Sequence, residues 1–366
     1  MVCRWSIGHS EAKRVKGGGL YEISRNYSPR ITELARLKFS FHREMTKRLA
    51  GETDLLGSLP GLQFIGRSML KEIKLATAPV SWGVDHMGRA NLPSWQEVFD
   101  EIAKVGFKYT ELGPLGFWPE DGKLVKAQLA ARQLACVGAA LLASFEEENL
   151  TGHALDEARR LARLISDSGG SFLVIVDWSE KRHATAGLSE RARRLEGRAK
   201  REFWARIEKV GEISREFGVQ AVAHPHAGSN LEFEDEVEEL LAHTDPELIQ
   251  LAIDTGHCLY GQIDPTVLYR RHADRTPYVN FKDISAELLD QVRAEGVAFL
   301  DAVDLGIFQP LGKGNVDFRS FGEALSRNGF SGPAVIEQDR KPGRCESATA
   351  AMMESLRYLS GLGINR

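Results

Sequence analysis

From Lys71 onward the chain keeps one rhythm: a short apolar run, a segment of helical periodicity, then another apolar run. The runs read as strands near Lys74–Val80, Tyr109–Leu112, Ala135–Leu142, Phe172–Asp177, Val219–His224, Ile249–Asp254, Tyr278–Phe281 and Ala334–Glu337. Helical patterns cover roughly Trp95–Val105, Leu124–Leu134, Ala154–Ser168, Ser189–Phe217, Glu234–Ala242, Pro265–His272, Phe318–Asn328 and Glu346–Leu359. Alternating pairs of this kind over about 290 residues suit a (β/α)8 barrel better than an open doubly wound sheet. No G-x-G-x-x-G follows the first run, which further weakens a dinucleotide fold.

A barrel of this type carries its chemistry at the C-terminal ends of the strands, so what each run ends in is informative. The first ends in Pro79-Val80-Ser81-Trp82-Gly83, the second in Glu111-Leu112-Gly113-Pro114, and the fourth in Asp177-Trp178. The fifth ends in His224-Pro225-His226 and the sixth in Asp254-Thr255-Gly256-His257. The seventh ends in Asn280-Phe281-Lys282-Asp283 and the eighth in Glu337-Gln338-Asp339. Strand side chains alternate faces, so His224 and His226 point the same way. Imidazole and carboxylate at adjacent strand ends are what a divalent metal needs.

Hydrophobic residues make up 43% of 366, enough for a large core in a soluble globular protein. The net charge of −4 is unevenly spread: residues 1–70 hold 12 Lys+Arg and 6 Asp+Glu, net +6, and the remainder is net −10. An acidic barrel is a poor match to nucleic acid. No apolar run reaches membrane-span length, so no membrane partner is expected. Cys3, Cys136, Cys258 and Cys345 lie far apart with no C-x-x-C, which fits a reducing compartment. Without an apolar h-region at the start, a cytoplasmic location is the expectation. Residues 1–70 read as an irregular extension broken by Gly17-Gly18-Gly19, Pro29 and Pro60, with one moderately helical stretch from Ile31 to Ala50; residues 71–366 form the catalytic domain.

APVSWGVD (78–85), TELGPLGFWPED (110–121), HPHAG (224–228), IDTGH (253–257), NFKDI (280–284), VIEQD (335–339) and the insertion 288–318 carry a resemblance. The pattern resembles the xylose-isomerase-like superfamily of sugar isomerases, epimerases and dehydratases, and most closely the inosose (2-keto-myo-inositol) dehydratases. The resemblance covers about residues 70–362. It implies a TIM barrel holding one divalent metal by ligands from strands five to eight. By position these are His224, Asp254, Asn280 and Glu337, with manganese or cobalt expected first and magnesium or zinc next. His224 stands where many relatives have Glu, and the family's His-x-Lys-Asp reads Asn280-Phe281-Lys282-Asp283 here. Asn280 therefore offers an amide oxygen, a weaker ligand. His257 and Lys282 match positions that contact substrate in relatives. The resemblance also extends to this chain an expectation of homo-oligomers, since such barrels are often dimers or tetramers.

Dehydrating a cyclic keto-polyol needs a Lewis acid on the ketone, a base for the adjacent proton and an acid for the leaving hydroxide. His226, His257 and Lys282 are the acid/base candidates, with their division of labour open. Glu111 is expected to hydrogen-bond a substrate hydroxyl or orient a ligand. Asp283 is a further contact to substrate, and Trp82 an apolar wall. The same metal and enolisation would serve an isomerase or epimerase. A non-catalytic barrel with a degraded metal site is the reading that Asn280 favours. If residues 1–70 are separate from the barrel's folding, removing residues 1–68 will leave the Tm of thermal unfolding within a few degrees of that of the full chain; loss of cooperative unfolding would contradict this.

Overall fold

A computed structural model describes residues 73–365, except 147, 342 and 344–346. The N-terminal extension and its expected helix lie outside the described residues. The barrel strands are β1 (Lys74–Thr77), β2 (Tyr109–Glu111), β3 (Ala135–Ala143), β4 (Phe172–Asp177), β5 (Gln220–Ala223), β6 (Ile249–Asp254), β7 (Tyr278–Phe281) and β10 (Pro333–Ile336). They close into one parallel barrel, with β1 and β10 joined in the register Lys74↔Pro333 to Thr77↔Ile336. The (β/α)8 architecture expected from the rhythm is the one present.

Period-two alternation sorts the strand side chains into two layers. One set fills the barrel: Val137, Val174, Val176, Val222, Tyr278 and Val335 belong to this interior cluster. The other set packs outward against the helices, as Leu173, Ile175, Leu251, Ile253 and Phe281 do. The helices answer with apolar stripes. In Trp95–Val105 the buried residues Val98, Phe99, Ile102 and Val105 recur at helical spacing. A capping box between Ser94 and Glu97 starts that helix and Gly106, at φ 95°, ends it.

Three departures from the sequence reading have local causes. The first strand stops at Thr77, because Pro79 brings no N–H to a ladder and instead opens a 3-10 turn, Pro79–Trp82. The helix expected from Ser189 starts only at Gly197 and runs to Glu216, preceded by a short helix Glu180–His183. The insertion after the seventh strand folds into helices Ala286–Glu295 and Phe299–Leu305. They lie between two antiparallel partners, β8 (Asp283–Ile284) and β9 (Phe308–Gln309).

One irregularity positions the site. Pairing between β2 and β3 shifts from Thr110↔Cys136 to Glu111↔Gly138, so the third strand carries a bulge there. A Cβ at residue 138 would collide with the Phe172 carbonyl oxygen. Replacing Gly138 by alanine is expected to destabilise the barrel by about 1–3 kcal/mol, seen as a lower midpoint in urea unfolding; an unchanged midpoint would mean the bulge does not need glycine.

Candidate active site

Strands five to eight each deliver polar groups to the same end of the barrel, all nearly excluded from water. The centre is Lys282, 1% exposed. Its Nζ lies 2.8 Å from Asp339 Oδ1, 3.1 Å from Glu337 Oε2, 3.2 Å from Asp254 Oδ2 and 3.1 Å from His257 Nε2. Burial by itself would lower the lysine's pKa; the carboxylates of Asp254, Asp339 and Glu337 outweigh it and hold the ammonium well above its usual range. Phe308 from the insertion caps the ammonium, its ring centroid 5.2 Å from Nζ.

Asp254 divides its two oxygens between local structure and site. Oδ1 accepts from the Gly256 and His257 N–H groups, 2.8 Å each, capping the helix Thr255–Tyr260. Oδ2 faces His224 Nε2 at 3.5 Å as well as Lys282. Although burial opposes it, Lys282 and His257 keep this carboxyl well below the usual carboxylate range. Thr255 Oγ1 donates to the Lys282 carbonyl and accepts from the Lys282 N–H, tying strands six and seven together beneath the site.

The histidines have different duties. His226 Nδ1 donates to the Ala227 carbonyl at 2.9 Å, which leaves Nε2 as its lone-pair nitrogen. Burial and the neighbouring His257 hold its pKa well below the ordinary value. His257 sits one layer deeper, its ring centroid 3.9 Å from that of His226. Its Nδ1 accepts from the Ala227 N–H at 3.2 Å, so the neutral ring carries its proton on Nε2, near Lys282 and Asp339. Burial, then Lys282, pushes it down to about 4.

The pocket above these groups is lined by Glu111, His224, His226, Asn280, Lys282 and Glu337, among others. Glu111 accepts from the Tyr278 hydroxyl at 2.5 Å. Burial and then the Glu337 carboxylate raise it to about 8, against an ordinary 4.5. Glu337 is itself raised, chiefly by burial.

Two predicted contacts lie elsewhere. Asp283 does not face the pocket: its oxygens accept from the N–H groups of Ile284, Gly312, Gly314 and Val316, so it is the staple of the loop that returns from the insertion. Trp82 is buried outside the pocket lining and donates its indole N–H to Glu101 on the outer helix at 2.6 Å. Conversely, Asp339, Asp85, Trp178 and Phe299 line the pocket without having been assigned roles. Asp339 was legible, since it follows Glu337 by two positions, the spacing that keeps side chains on one face of an extended chain. Phe299 was missed because its helix, Phe299–Leu305, is too short for its periodicity to stand out in sequence.

The donor set for a metal can be tested on the buried polar atoms. Asn280 Oδ1 and His224 Nδ1 are buried without a hydrogen-bond partner, and Asp254 Oδ2 meets only Lys282 at 3.2 Å and His224 Nε2 at 3.5 Å. Buried polar atoms short of partners are costly in an apolar interior, and a divalent cation would satisfy the Asn280 oxygen, the lone pair of a neutral His224 ring and the remaining lone pairs of Asp254. These residues, with Glu337, fit such an ion. A second cluster adjoins it: donor atoms of His226, His257 and Asp339 lie within 4.8 Å of one another. There the Nδ1 atoms are held by the Ala227 backbone, and Lys282 lies 2.8 Å from Asp339, against 3.2 Å from Asp254 and 3.1 Å from Glu337.

The chain belongs to the xylose isomerase-like TIM barrel family, whose model matches residues 99–362. Within it the chain is an inosose dehydratase-like member, a carbon–oxygen lyase by class. It is 30% identical over 278 residues to the inosose dehydratase of Bacillus licheniformis, covering 74% of this chain and 90% of that protein. To the inosose dehydratase of Lacticaseibacillus casei it is 29% identical over 304 residues, covering 80% and 97%. The fold alone is shared with the crystal structure of the IOLI protein with a bound zinc atom: TM-score 0.59, 14% identity, 80% of this chain and 98% of that one.

The Glu111 carboxyl gives a signed pH prediction for metal-stripped protein. The folded state keeps its proton up to about 8, whereas the unfolded chain releases it near 4.5. Its contribution to stability is therefore full below about 4.5 and is lost as pH rises through 8. Glu111→Gln should flatten the fall in unfolding free energy between pH 5 and 8; a slope equal to that of the parent would contradict the assignment.

Proposed function

We propose that this protein removes water from 2-keto-myo-inositol or a close cyclic keto-polyol, with a divalent metal held by His224, Asp254, Asn280 and Glu337. The observation that carries the reading is the gathering of buried, under-satisfied donor atoms on His224, Asp254 and Asn280, beside a buried ammonium and a protonatable carboxyl that border one pocket. The inosose dehydratase relatives supply the substrate class. A bound cation would supply Lewis acidity at the ketone oxygen, acidifying the adjacent C–H by several kcal/mol.

The chain's own groups divide the remaining work. His226 Nε2 is the available lone pair in the pocket lining and takes the proton from the carbon beside the ketone. The Lys282 ammonium, fixed by Asp339, offsets negative charge gathering on the enolate oxygen. The Tyr278 hydroxyl occupies one oxygen of Glu111, and the other carries the proton given to the departing hydroxyl. Loss of that hydroxyl as water leaves a conjugated enol-dione. An epimerase would share the enolisation but lacks this last transfer. His257 does not line the pocket; it donates to Asp339 and so acts by placing the carboxylate that holds Lys282.

The test is turnover of 2-keto-myo-inositol by protein reconstituted with manganese or cobalt, read as growth of enol-dione absorbance. Chelation should abolish it and either ion restore it. Lys282→Met and His226→Gln are each expected to reduce kcat roughly 10²–10⁴-fold. An isomeric ketone with no absorbance change would replace the dehydratase by an epimerase. Full turnover after exhaustive chelation would sink the metal assignment.

A further inference from the structure

Asp85 borders the pocket and takes no part in the chemistry above. It follows the turn Pro79–Trp82 at the end of β1, and β1 stands opposite β5 in the ring of eight strands. Its side chain is 17% exposed, against 2% for Lys282 and 0% for Asp254. Asp85 therefore lies nearer the mouth than the charged cluster does. The next residue, His86, approaches Trp178 at the end of strand four, ring centroids 6.3 Å apart. The segment thus reaches across the mouth from the strand-one side.

The carboxylate is held firmly but not saturated. Oδ1 accepts from the His86 backbone N–H at 2.8 Å, from His86 Nδ1 at 2.9 Å and from Arg89 Nε at 2.9 Å. Among the described residues, Oδ2 accepts only the shared Arg89 Nε–H, at 2.7 Å; Arg89 Nη2 is as close but lacks hydrogen-bond geometry. A carboxylate oxygen accepts through two lone pairs, so Oδ2 retains acceptor capacity on a residue that borders the pocket. Arg89 is fixed from the other side as well. Its Nη1 lies 3.6 Å from Asp304, on the helix whose Phe299, Leu300 and Val303 line the pocket. An acceptor locked in place in this way calls for a donor on the ligand. A ring hydroxyl supplies one and a ketone does not.

We infer that Asp85 is a specificity-determining residue: its Oδ2 accepts the hydrogen of a ring hydroxyl remote from the ketone, and Arg89 is the positioning residue that aims it. This rests on the dehydratase reading for the reactive end of the substrate, whose ketone lies beside His224 and Asn280.

The experiment is a cycle between protein and ligand. Calorimetric binding of 2-keto-myo-inositol and of its 4-, 5- and 6-deoxy analogues is compared in manganese-loaded full-length parent, Asp85→Ala and Asp85→Asn, with water loss from 2-keto-myo-inositol followed separately. In the parent, one deoxygenation is expected to weaken binding roughly tenfold or more. Asp85→Ala should weaken binding of the full polyol by a similar factor and make that same deoxygenation neutral, the two losses being one contact. Asp85→Asn carries the same comparison should the alanine variant not fold. Arg89→Gln, with Asp85 present but no longer aimed, should narrow the discrimination several-fold. Equal binding of all analogues by the parent overturns the inference, and so does a deoxygenation penalty unchanged in the Asp85 variants; either result with water loss intact leaves the dehydratase reading standing. The expected cycle without water loss supports the role of Asp85 and sinks the dehydratase reading. Absence of binding by every ring overturns both.

Discussion

A single ammonium surrounded by three carboxyl groups governs the barrel mouth. Lys282 contacts Asp254, Glu337 and Asp339, and all four side chains are nearly buried. Removing such charges from water costs several kcal/mol per ion unless they are paired. One ammonium cannot neutralise three carboxyls, so the cluster is left short of positive charge. Burial first, and neighbouring carboxylates second, raise the pKa values of Glu337 and Glu111. A divalent cation beside Asp254 and Glu337 would remove the shortage and free Lys282 to pair with Asp339 alone.

The scaffold explains how so many polar groups are held together. Parallel strands end at one rim, and alternation turns every second residue inward. Below the rim the interior is filled by Val137, Val222 and Val335, with Val174 at the pocket floor. Polar side chains at the rim are therefore oriented by packing from beneath and by backbone caps, as Asp254 is by the start of its helix. The Asp283 staple holds the returning loop, and Phe299 and Phe308 of the insertion close the site from above. This insertion gives the barrel a dry reaction space, in which electrostatic interactions are strong.

Much of this was legible in the chain. Eight apolar runs gave the barrel, because buried strands need continuous apolar sequence whatever the tertiary detail. His224, Asp254, Asn280, Lys282 and Glu337 could be placed at strand ends by counting alone, and the structure gathers them at one mouth. What failed depended on contacts that counting cannot see. Asp283 adjoins Lys282 in sequence but points the other way along an extended chain, toward four backbone N–H groups. Trp82 sits on a turn whose geometry Pro79 and Gly83 decide. The insertion helices are only ten and seven residues long, too short for their buried positions to stand out in sequence.

The account's central claim is the position of the cation. Crystals grown with manganese, measured for anomalous scattering, test it directly. The predicted result is one peak within bonding distance of His224, Asp254, Asn280 and Glu337, with the Lys282 ammonium withdrawn toward Asp339. A peak held by His226, His257 and Asp339 would contradict it, and so would a structure in which saturating manganese gives no peak at the barrel mouth.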